Sequence, residues 1–593
     1  MLQVFHKISW RVSEKLLFSS KKKNHASSVL YFSSQSGNND EFEKKKNCLI
    51  YNNGPIVESC YPKLDIPDIP IHEFIFSNFG KWEEQVAVEC ALIQKKLRYK
   101  DIYRISKSVA NMLLKKFKLQ KQDLIAVILP NCPEYPTILM ACSMSGIIVT
   151  TLNPQYTAAE ISHQLKETKA KVIFTVAQAK ENCITAVNLL KINIPIVIVK
   201  SHPENEIPQG LIDFNDLIDD LSAKEFHSTV SSPDDVFVLP YSSGTSGLPK
   251  GVQLTHKNIV SNLLQFKSAN ELKITSTRDI SECSILGVLP MFHIYGMVVV
   301  TLDAISDGAR LVTLPKFDPK LFLETLVREK IKIAYLVPPL VFFLGSSSFV
   351  ERKHLQFIKH IVVGAGPCGE KDVNKLMEKG KDVDFSQGYG MTETSPIVTI
   401  SHKDRFHKYS SIGHPVPLTQ MKVVDVDTGK SLPPRKSGEI HVKGPQVMKG
   451  YLNRLEENRS TLDEDGWLKT GDSGYYDEEF DFFINDRLKE IIKVKGFQVA
   501  PAELEEFIRS HPKVADAGVI GVNHPGLGEV PKAFVVLKEN EKCSEGEIKN
   551  YVKENLSSYK QLKGGVQFLK EIPKTTSGKI LRKALKELDG KQK

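Results

Sequence analysis

The sequence predicts an α/β fold with a large N-terminal domain and a smaller α+β C-terminal domain. Three observations predict it. Helix-like and strand-like segments alternate from about residue 47 to about residue 400, short strands separated by turns follow, and the segment from Arg487 onward carries its own strands and charged helices. At 593 residues the chain is longer than one hydrophobic core usually spans, so two or more domains are expected. We place a leader at residues 1–45, the large domain at 46–486 and the small domain at 487–593.

In the large domain the periodicity switches repeatedly between helix and strand. The segment YKDIYRISKSVANMLLKKF has apolar residues at helical spacing, whereas LIAVILPN, VIFTV and IPIVIVK are short, apolar and β-branched. IAYLVPP and HIVVGAG continue the alternation. Strands that alternate with helices in this way form layered α/β units.

Beyond about residue 400 the pattern is typical of antiparallel strands. MKVVDVDTGK, GEIHVKGP and GYYDEEFDFFIND are short strand-like segments that contain or border turn residues. The C-terminal segment adds two further strands, AGVIGVN and AFVVLKE, between charged helices. It is long enough to form a separate small domain.

Composition is that of a soluble globular protein, with 41% hydrophobic and 25% charged residues. The longest apolar tract, SILGVLPMFHIYGMVVVTLDA, is interrupted by proline, histidine and aspartate, so no membrane-spanning helix is expected. Nine cysteines include no C-x-x-C pair. Neither a zinc site nor a disulfide framework is therefore predicted, and a reducing compartment is expected.

The net charge of +9 is concentrated at the two ends of the chain. Residues 1–39 and 574–593 each carry a net charge of +5, which leaves the body between them near −1. A nucleic-acid-binding face needs basic residues grouped on the folded body. Nucleic acid is therefore not an expected partner.

The N-terminus resembles a mitochondrial transit peptide. In a helix, Phe5, Ile8, Val12 and Leu16 would share one face, with basic residues on another, and serines follow while acidic residues are rare. A disordered basic tail is the alternative interpretation. The C-terminus GKQK lacks the S-K-L peroxisomal address. A mitochondrial location is predicted, with cytoplasmic and peroxisomal locations as alternatives.

A glycine- and hydroxyl-rich loop, YSSGTSGLPKG at residues 241–251, follows the strand-like segment DDVFVLP. Glycines let backbone N–H groups approach a ligand, the hydroxyls add donors and Lys250 adds a mobile positive charge, a combination that suits a polyphosphate. The loop departs from the Walker pattern at Pro249 and Gly251. From the loop residues alone, a flexible turn is an equally favoured interpretation.

Seven motifs occur in order along the chain: YSSGTSGLPKG, MFHIYG, VVGAGPCG, QGYGMTE, GWLKTGDSGYYDE, DRLKEIIKVKGFQVAPAELE and PKTTSGKILR. Together they resemble the adenylate-forming superfamily, and within it the 4-coumarate:CoA ligases, medium-chain acyl-CoA synthetases and beetle luciferases. The resemblance covers roughly residues 50 to 590. It implies layered α/β subdomains and a β-barrel-like part in the large domain, and a small C-terminal domain that moves.

The resemblance also implies a two-step reaction. A carboxylate attacks the α-phosphate of ATP and releases pyrophosphate, and the thiol of coenzyme A then attacks the acyl-AMP. The expected activity is ligation of a fatty or aryl carboxylic acid to coenzyme A, with ATP and Mg²⁺. A luciferase-like monooxygenase, which oxidises the adenylate with O₂, is the alternative, and a non-catalytic ATP-binding protein is a further one.

For the nucleotide, the resemblance implies that Tyr389 stacks on adenine, Thr392 lies near the α-phosphate and Glu393 binds Mg²⁺. Asp472 would accept hydrogen bonds from the ribose hydroxyls, assisted by Arg487. The full set implied to bind ATP or AMP is Ser242, Ser243, Gly244, Thr245, Ser246, Lys250, Gln387, Gly388, Tyr389, Thr392, Asp472, Arg487, Lys489 and Lys579.

For catalysis, the resemblance implies that His293 orients the carboxylate and that Lys579 neutralises the transferring phosphate in the adenylating arrangement. The small domain would then swing about a hinge at Lys489 and bring Lys493 and Gln498 to the same site. The residues implied for the acyl pocket are His293, Tyr295, Val299, Gly364, Ala365 and Gly366, and those for coenzyme A are Lys316, Lys495 and Gly496.

Two positions depart from the family pattern. Gly366 stands where relatives often carry alanine, which would widen the pocket slightly. Phe480 stands where relatives have a turn glycine before the hinge. A left-handed backbone there would cost a phenylalanine about 1 kcal/mol or more, so we expect this turn to be rebuilt.

Overall fold

The computed structural model describes most of the chain after the predicted leader. No described helix has both the length and the apolar character needed to cross a membrane. The leader, residues 1–45, and the loop at 243–248 lie outside the description. The described residues are 49–51, 54–201, 204–220, 222–223, 226–229, 232–242, 249–270, 283–366, 368–401, 408–494, 497–524, 528–556, 558–575 and 578–590.

The first sheet has a parallel centre formed by the apolar segments that the sequence predicted as strands. Its central strands are almost entirely buried because helices cover the sheet. From edge to edge its strands are Tyr241–Ser242, Lys250–Thr255, Val236–Val238, Ile148–Thr151, Leu124–Ile128, Ile173–Thr175, Ile196–Ile198 and Ile212–Asp213, and Gly450–Tyr451 pairs with Lys250–Thr255.

The helices of this part follow the same alternation. Every residue of Tyr135–Ser145 is buried, because this helix is apolar all round. Ala158–Thr168 begins with a capping box between Thr157 and Glu160. The helices up to residue 270 are Ile71–Phe76, Tyr99–Lys115, Tyr135–Ser145, Ala158–Thr168, Lys180–Leu190 and His256–Asn270, with short 3₁₀ turns at Phe79–Lys81, Ala177–Ala179 and Phe214–Leu217.

The second sheet is parallel from Val86–Cys90 to Asp384–Gly390 and ends in antiparallel strands. Its strands in order are His414–Pro415, Ile397–Ile400, Asp384–Gly390, His360–Val363, Ile333–Leu336, Ser284–Gly287, Arg310–Thr313, Val86–Cys90 and Lys96–Arg98. The apolar core joins this sheet to the first one. The associated helical segments are the π-helical Tyr295–Leu302, Asp303–Ser306, Pro319–Arg328, Pro338–Ser346, Arg352–Leu355, Glu370–Lys379 and the 3₁₀ turn Thr392–Thr394.

The third sheet is antiparallel, as the short strands and turns predicted. It carries both Asp472 and Arg487 on adjacent strands. The helix Leu455–Thr461 precedes its longest strand. In order, its strands are Leu49–Tyr51, Pro55–Glu58, Gln420–Val424, Gly438–Lys443, Leu468–Tyr476 and Phe482–Arg487.

The C-terminal part has a sheet and an apolar cluster of its own. The chain passes from the third sheet to this fourth sheet between Arg487 and Ile492. The fourth sheet consists of Phe497–Val499, Ile492–Val494, Gly528–Leu537 and Val514–His524 in order, with Val566–Phe568 beside Gly528–Leu537, and its helical segments are Pro501–Arg509, Glu545–Asn555, the 3₁₀ turn Ser558–Lys560 and Arg582–Gly590.

The turn at Phe480 is not rebuilt, so that expectation is wrong. Phe480 adopts a left-handed backbone with φ of 65°. Asp477 holds the turn, because its side chain accepts hydrogen bonds from the backbone N–H groups of Glu479 and Asp481 at 2.9 and 3.0 Å. The Phe480 ring is buried in the apolar cluster of the third sheet, beside Tyr476. Burial of the ring offsets the backbone strain.

Candidate active site

A cavity of about 810 Å³ lies between the large and the small domain. Residues far apart in the sequence meet around it, because its walls come from the second and third sheets and from the small domain. Its lining includes eight of the residues that the motifs implied: Ala365, Gly366, Gln387, Gly388, Tyr389, Asp472, Arg487 and Lys579.

A hydrogen bond and an ion pair link Asp472 to Tyr389 and to Arg487 in this cavity. The Tyr389 hydroxyl donates to Oδ2 of Asp472 at 2.6 Å, and Nε of Arg487 lies 3.4 Å from Oδ1. Burial raises the pKa of Asp472, against the opposing effects of Arg487 and Tyr389. A buried carboxylate with these partners is a strong acceptor for hydroxyl groups.

Lys579 reaches this group from the small domain. Burial, reinforced by the charge of Arg487, lowers the pKa of Lys579 to about 8, and Asp472 opposes that shift. The preceding Gly578 has φ of +81°, and a Cβ there would lie 2.6 Å from Cγ of Pro339. Glycine therefore lets the Lys579 loop approach the large domain closely.

His293 is neutral at pH 7, because burial, with the charge of Lys579, lowers its pKa to about 4. The backbone N–H of Tyr295 donates to His293 Nδ1 at 3.3 Å. Nδ1 is then the acceptor, so Nε2 carries the proton and can donate it to an oxygen atom. The tight backbone here requires Gly296, since a Cβ at that position would lie 2.1 Å from the Pro290 carbonyl oxygen.

Glu393 is buried and held by two hydroxyl groups. Ser242 Oγ and the Tyr451 hydroxyl each donate to its Oε1 at 2.9 Å. Lys250 Nζ lies over the Tyr451 ring, 5.1 Å from its centroid. These contacts bring the two ends of the glycine-rich loop next to the QGYGMTE motif. Tyr451 was missed in the sequence, where KGY carries no signal that separates it from an ordinary turn.

Part of the implied acyl pocket is assembled around Tyr295. Its hydroxyl donates to the Val362 carbonyl at 3.2 Å, and a Cβ at Gly364 would lie 3.4 Å from its ring. Val299 is buried in the same π-helical segment. A Cβ at Gly366 would have ordinary contact, 3.7 Å, with Pro338, so glycine leaves a methyl-sized space there.

The remaining implied residues are placed less directly. Thr392 is half-buried beside Glu393, and Lys489 lies in the turn between the third and fourth sheets. Lys316 is exposed and does not line the described cavity. Lys493 and Gln498 are cross-strand neighbours in the fourth sheet. The side chains of Lys493 and Gln498 lie outside the description, as do Ser243, Gly244, Thr245, Ser246, Lys495 and Gly496.

An ion-pair network around Arg582 was also missed in the sequence. Arg582 Nη2 lies 2.9 Å from both carboxylate oxygens of Glu505 and 3.7 Å from Asp486, and Arg582 contacts Glu490 as well. Burial opposes the charge of Arg582, but these carboxylates raise its pKa. Asp486 precedes Lys489 and Glu490 follows it. The network therefore joins both sides of the predicted hinge.

Family models match both parts of the chain. The model for the AMP-binding enzyme matches residues 77–452, and that for the AMP-binding enzyme C-terminal domain matches residues 503–579. The chain belongs to the AMP-binding enzyme family.

Curated relatives and solved structures agree with this assignment. The chain is 38% identical to 4-coumarate–CoA ligase 1 of Arabidopsis thaliana, over 90% of this chain and 95% of that protein. It is 37% identical to the 4-coumarate–CoA ligase of Pinus taeda, over 90% and 97%. ATP-bound MatB from Rhodopseudomonas palustris is 26% identical with a TM-score of 0.78, covering 88% of this chain and 99% of that one.

A second solved structure is that of the o-succinylbenzoate CoA synthetase MenE from Bacillus subtilis, in complex with the acyl-adenylate intermediate OSB-AMP. It is 28% identical with a TM-score of 0.72, covering 88% of this chain and 98% of that one. These relatives favour the ligase over the luciferase-like alternative. This protein is an AMP-forming acyl-CoA ligase.

Proposed function

We propose that this ligase activates a fatty or aryl carboxylic acid as its acyl-AMP and transfers the acyl group to coenzyme A at the same site. One observation carries the proposal. Lys579 of the small domain lines the same cavity as Tyr389 and Asp472 of the large domain. This placement supports an arrangement ready for the first, adenylating step.

In that step, negative charge builds on the α-phosphate and on the departing pyrophosphate. Asp472 and Arg487 would hold the ribose, Tyr389 the adenine and Lys250 the outer phosphates. The neutral His293 would donate from Nε2 to a carboxylate oxygen and so aim the other oxygen at phosphorus. The Lys579 ammonium would stabilise the charge on the oxygens that react.

The residues present also fit a magnesium ion. Mg²⁺ usually takes one or two protein carboxylates and completes its coordination with phosphate oxygens and water. Glu393 offers a buried carboxylate beside the glycine-rich loop. When bound, the ion would neutralise phosphate charge. Glu393 would hold it, with Ser242 and Tyr451 fixing the orientation of the carboxylate.

For the second step, rotation about Lys489 would withdraw Lys579 and bring Lys493 and Gln498 to the cavity. The exposed ammonium of Lys316 would meet phosphates of coenzyme A. The ion pairs of Arg582 on both sides of the hinge support a defined resting position, from which rotation would start.

The test is product formation by the purified protein across short, medium, long and aromatic acids. We expect acid-dependent release of AMP and pyrophosphate, with one CoA ester formed per AMP. Light from luciferin without CoA-ester formation would favour the monooxygenase. Absence of acid-dependent pyrophosphate release with every acid would contradict the proposal.

We also propose that residues 1–45 direct the enzyme to mitochondria. The basic, acid-poor composition of this segment supports the proposal. The test fuses residues 1–45 to a fluorescent protein, with Arg11→Glu and Lys15→Glu together as the control. We expect the unaltered fusion to give mitochondrial fluorescence and the doubly substituted fusion to give none. Cytoplasmic or peroxisomal fluorescence of the unaltered fusion would contradict it.

A further inference from the structure

Three side chains outside the active site line up in the order thiol, imidazole and carboxylate. The exposed Cys60 follows the strand Pro55–Glu58, and its Sγ lies 3.2 Å from Nδ1 of His414. On the other side of the ring, Nε2 of His414 lies 2.9 Å from Oδ1 of Asp481. His414 and Asp481 are buried, with side chains 7% and 1% exposed. The arrangement is a potential nucleophile, an imidazole beside it and a carboxylate that pairs with the imidazole.

Hydrogen bonds hold the backbone around Cys60 and His414. Next to Cys60, Ser59 Oγ donates to the Pro415 carbonyl at 2.9 Å, and its N–H donates to the Thr419 carbonyl at 3.1 Å. His414 belongs to a strand that pairs with Ile397–Ile400. The backbone positions on both sides of the contact are therefore fixed by hydrogen bonds, and these positions keep the thiol close to the imidazole.

Charges around the imidazole favour its protonated form. Lys408 Nζ binds Asp481 Oδ2 at 2.7 Å and also pairs with Asp477 and Glu479, so acidic groups outnumber the lysine here. Burial opposes a charge on His414, but Asp481 and Cys60 raise its pKa to about 9. The ring is then an imidazolium at neutral pH, and an imidazolium within hydrogen-bonding distance of a sulfur favours the thiolate.

We propose that Cys60 is a nucleophilic thiol that undergoes thiol–disulfide exchange with low-molecular-weight disulfides. The Cys60 thiolate would attack one sulfur of the disulfide, form a new S–S bond and break the old one. The displaced thiolate takes the proton of the His414 imidazolium. Cys60 is oxidised, one sulfur of the reagent is reduced, and loss of the proton leaves the imidazole neutral beside Asp481. The strand of His414 pairs with Ile397–Ile400, which in turn pairs with the strand that carries Tyr389.

The chain contains its own control in Cys543. Ligand atoms of His511 and Glu547 both lie within 4.8 Å of this half-buried thiol, but burial together with Glu547 raises its pKa, so the carboxylate prevails there. The intact protein is treated with limiting iodoacetamide from pH 6 to pH 9, and alkylation of each cysteine is measured by peptide mass spectrometry. Below its pKa, an ordinary thiol is alkylated about tenfold more slowly for each unit by which the pH falls, because the thiolate fraction falls by that factor.

We expect Cys60 to react about tenfold or more faster than Cys543 at pH 7, and its rate to change little down to pH 6. The pH profile separates reactivity from exposure, since greater exposure alone would leave the two profiles parallel. Parallel profiles would overturn the proposal. This comparison needs no substitution, so it stands even if a variant folds poorly.

Two variants and a disulfide reagent complete the test. His414→Gln should return the Cys60 profile to that of Cys543, and Asp481→Asn should shift it part of the way. With oxidised glutathione, a mixed disulfide that dithiothreitol reverses should form first on the Cys60 peptide. A Cys60 profile unchanged in His414→Gln, or no mixed disulfide at Cys60, would overturn the proposal. Cys60→Ser should keep ligase activity and lose the adduct.

Discussion

The hydroxyl of Tyr389 donates a hydrogen bond of 2.6 Å to Oδ2 of Asp472. This bond joins a strand of the second sheet to a strand of the third sheet across 83 residues of sequence. The residue implied to stack on adenine thus also orients the carboxylate implied to bind the ribose. Loss of the hydroxyl should therefore weaken nucleotide binding even where the ring remains.

Tyr389→Phe tests this relationship. The variant keeps the aromatic face and loses the donor, and we expect KM for ATP to rise about tenfold, equivalent to about 1.4 kcal/mol. Tyr475→Phe, on the same strand as Asp472, is the control and should leave KM unchanged. An unchanged KM for ATP in Tyr389→Phe would show that Asp472 does not depend on the tyrosine.

Lys579 should set an alkaline limit on adenylation. Burial and Arg487 lower the pKa of Lys579 to about 8. The side chain is therefore positively charged below that pH and loses its charge as the pH rises through 8. The kcat/KM for ATP should therefore be highest below pH 8 and fall above it. In Lys579→Arg the guanidinium stays charged, so the fall in kcat/KM above pH 8 should disappear even if the rate is lower. If kcat/KM for ATP falls above pH 8 in both the wild type and Lys579→Arg, the titrating group is not Lys579.

Arg582 should stabilise the small domain and its contact with the hinge. Arg582→Ala leaves the buried carboxylates of Asp486 and Glu505 without their cation. We expect a loss of about 3–5 kcal/mol in the free energy of unfolding, measured with urea. Lys583→Ala, at the exposed neighbouring position, should change it by less than about 0.5 kcal/mol. Equal stability of the two variants would contradict the role of the network.

Burial of the Phe480 ring should stabilise the fold by more than the left-handed backbone at this residue destabilises it. Phe480→Gly relieves about 1 kcal/mol of backbone strain but removes a buried ring worth about 3–5 kcal/mol, so the variant should be less stable than the wild type. Phe480→Ala keeps the strain and loses the ring, and it should be less stable again by about 1 kcal/mol. Thermal unfolding measures all three proteins. A glycine variant as stable as the wild type would contradict this account.

The sequence predicted the layered strands well, because β-branched apolar segments such as Ile173–Thr175 and His360–Val363 are buried on both faces. Eight of the residues that the motifs implied line the described cavity. The sequence did not predict contacts between residues that carry no local motif. Tyr451 reaches Glu393 across 58 residues, and Arg582 reaches Glu490 across 92, so only the folded chain reveals these pairs. At Phe480, tertiary burial overrode the backbone preference on which the sequence argument depended.

The central claim is that one cavity hosts two half-reactions served by different residues of the small domain, Lys579 for the first and Lys493 for the second. The most direct measurement is the two half-reactions of Lys579→Ala and Lys493→Ala, assayed separately. Lys579→Ala should lower acyl-AMP formation by about a hundredfold or more and spare CoA-ester formation from supplied acyl-AMP, while Lys493→Ala should do the reverse. Equal loss of both half-reactions in Lys579→Ala, or a defect confined to adenylation in Lys493→Ala, would contradict the claim.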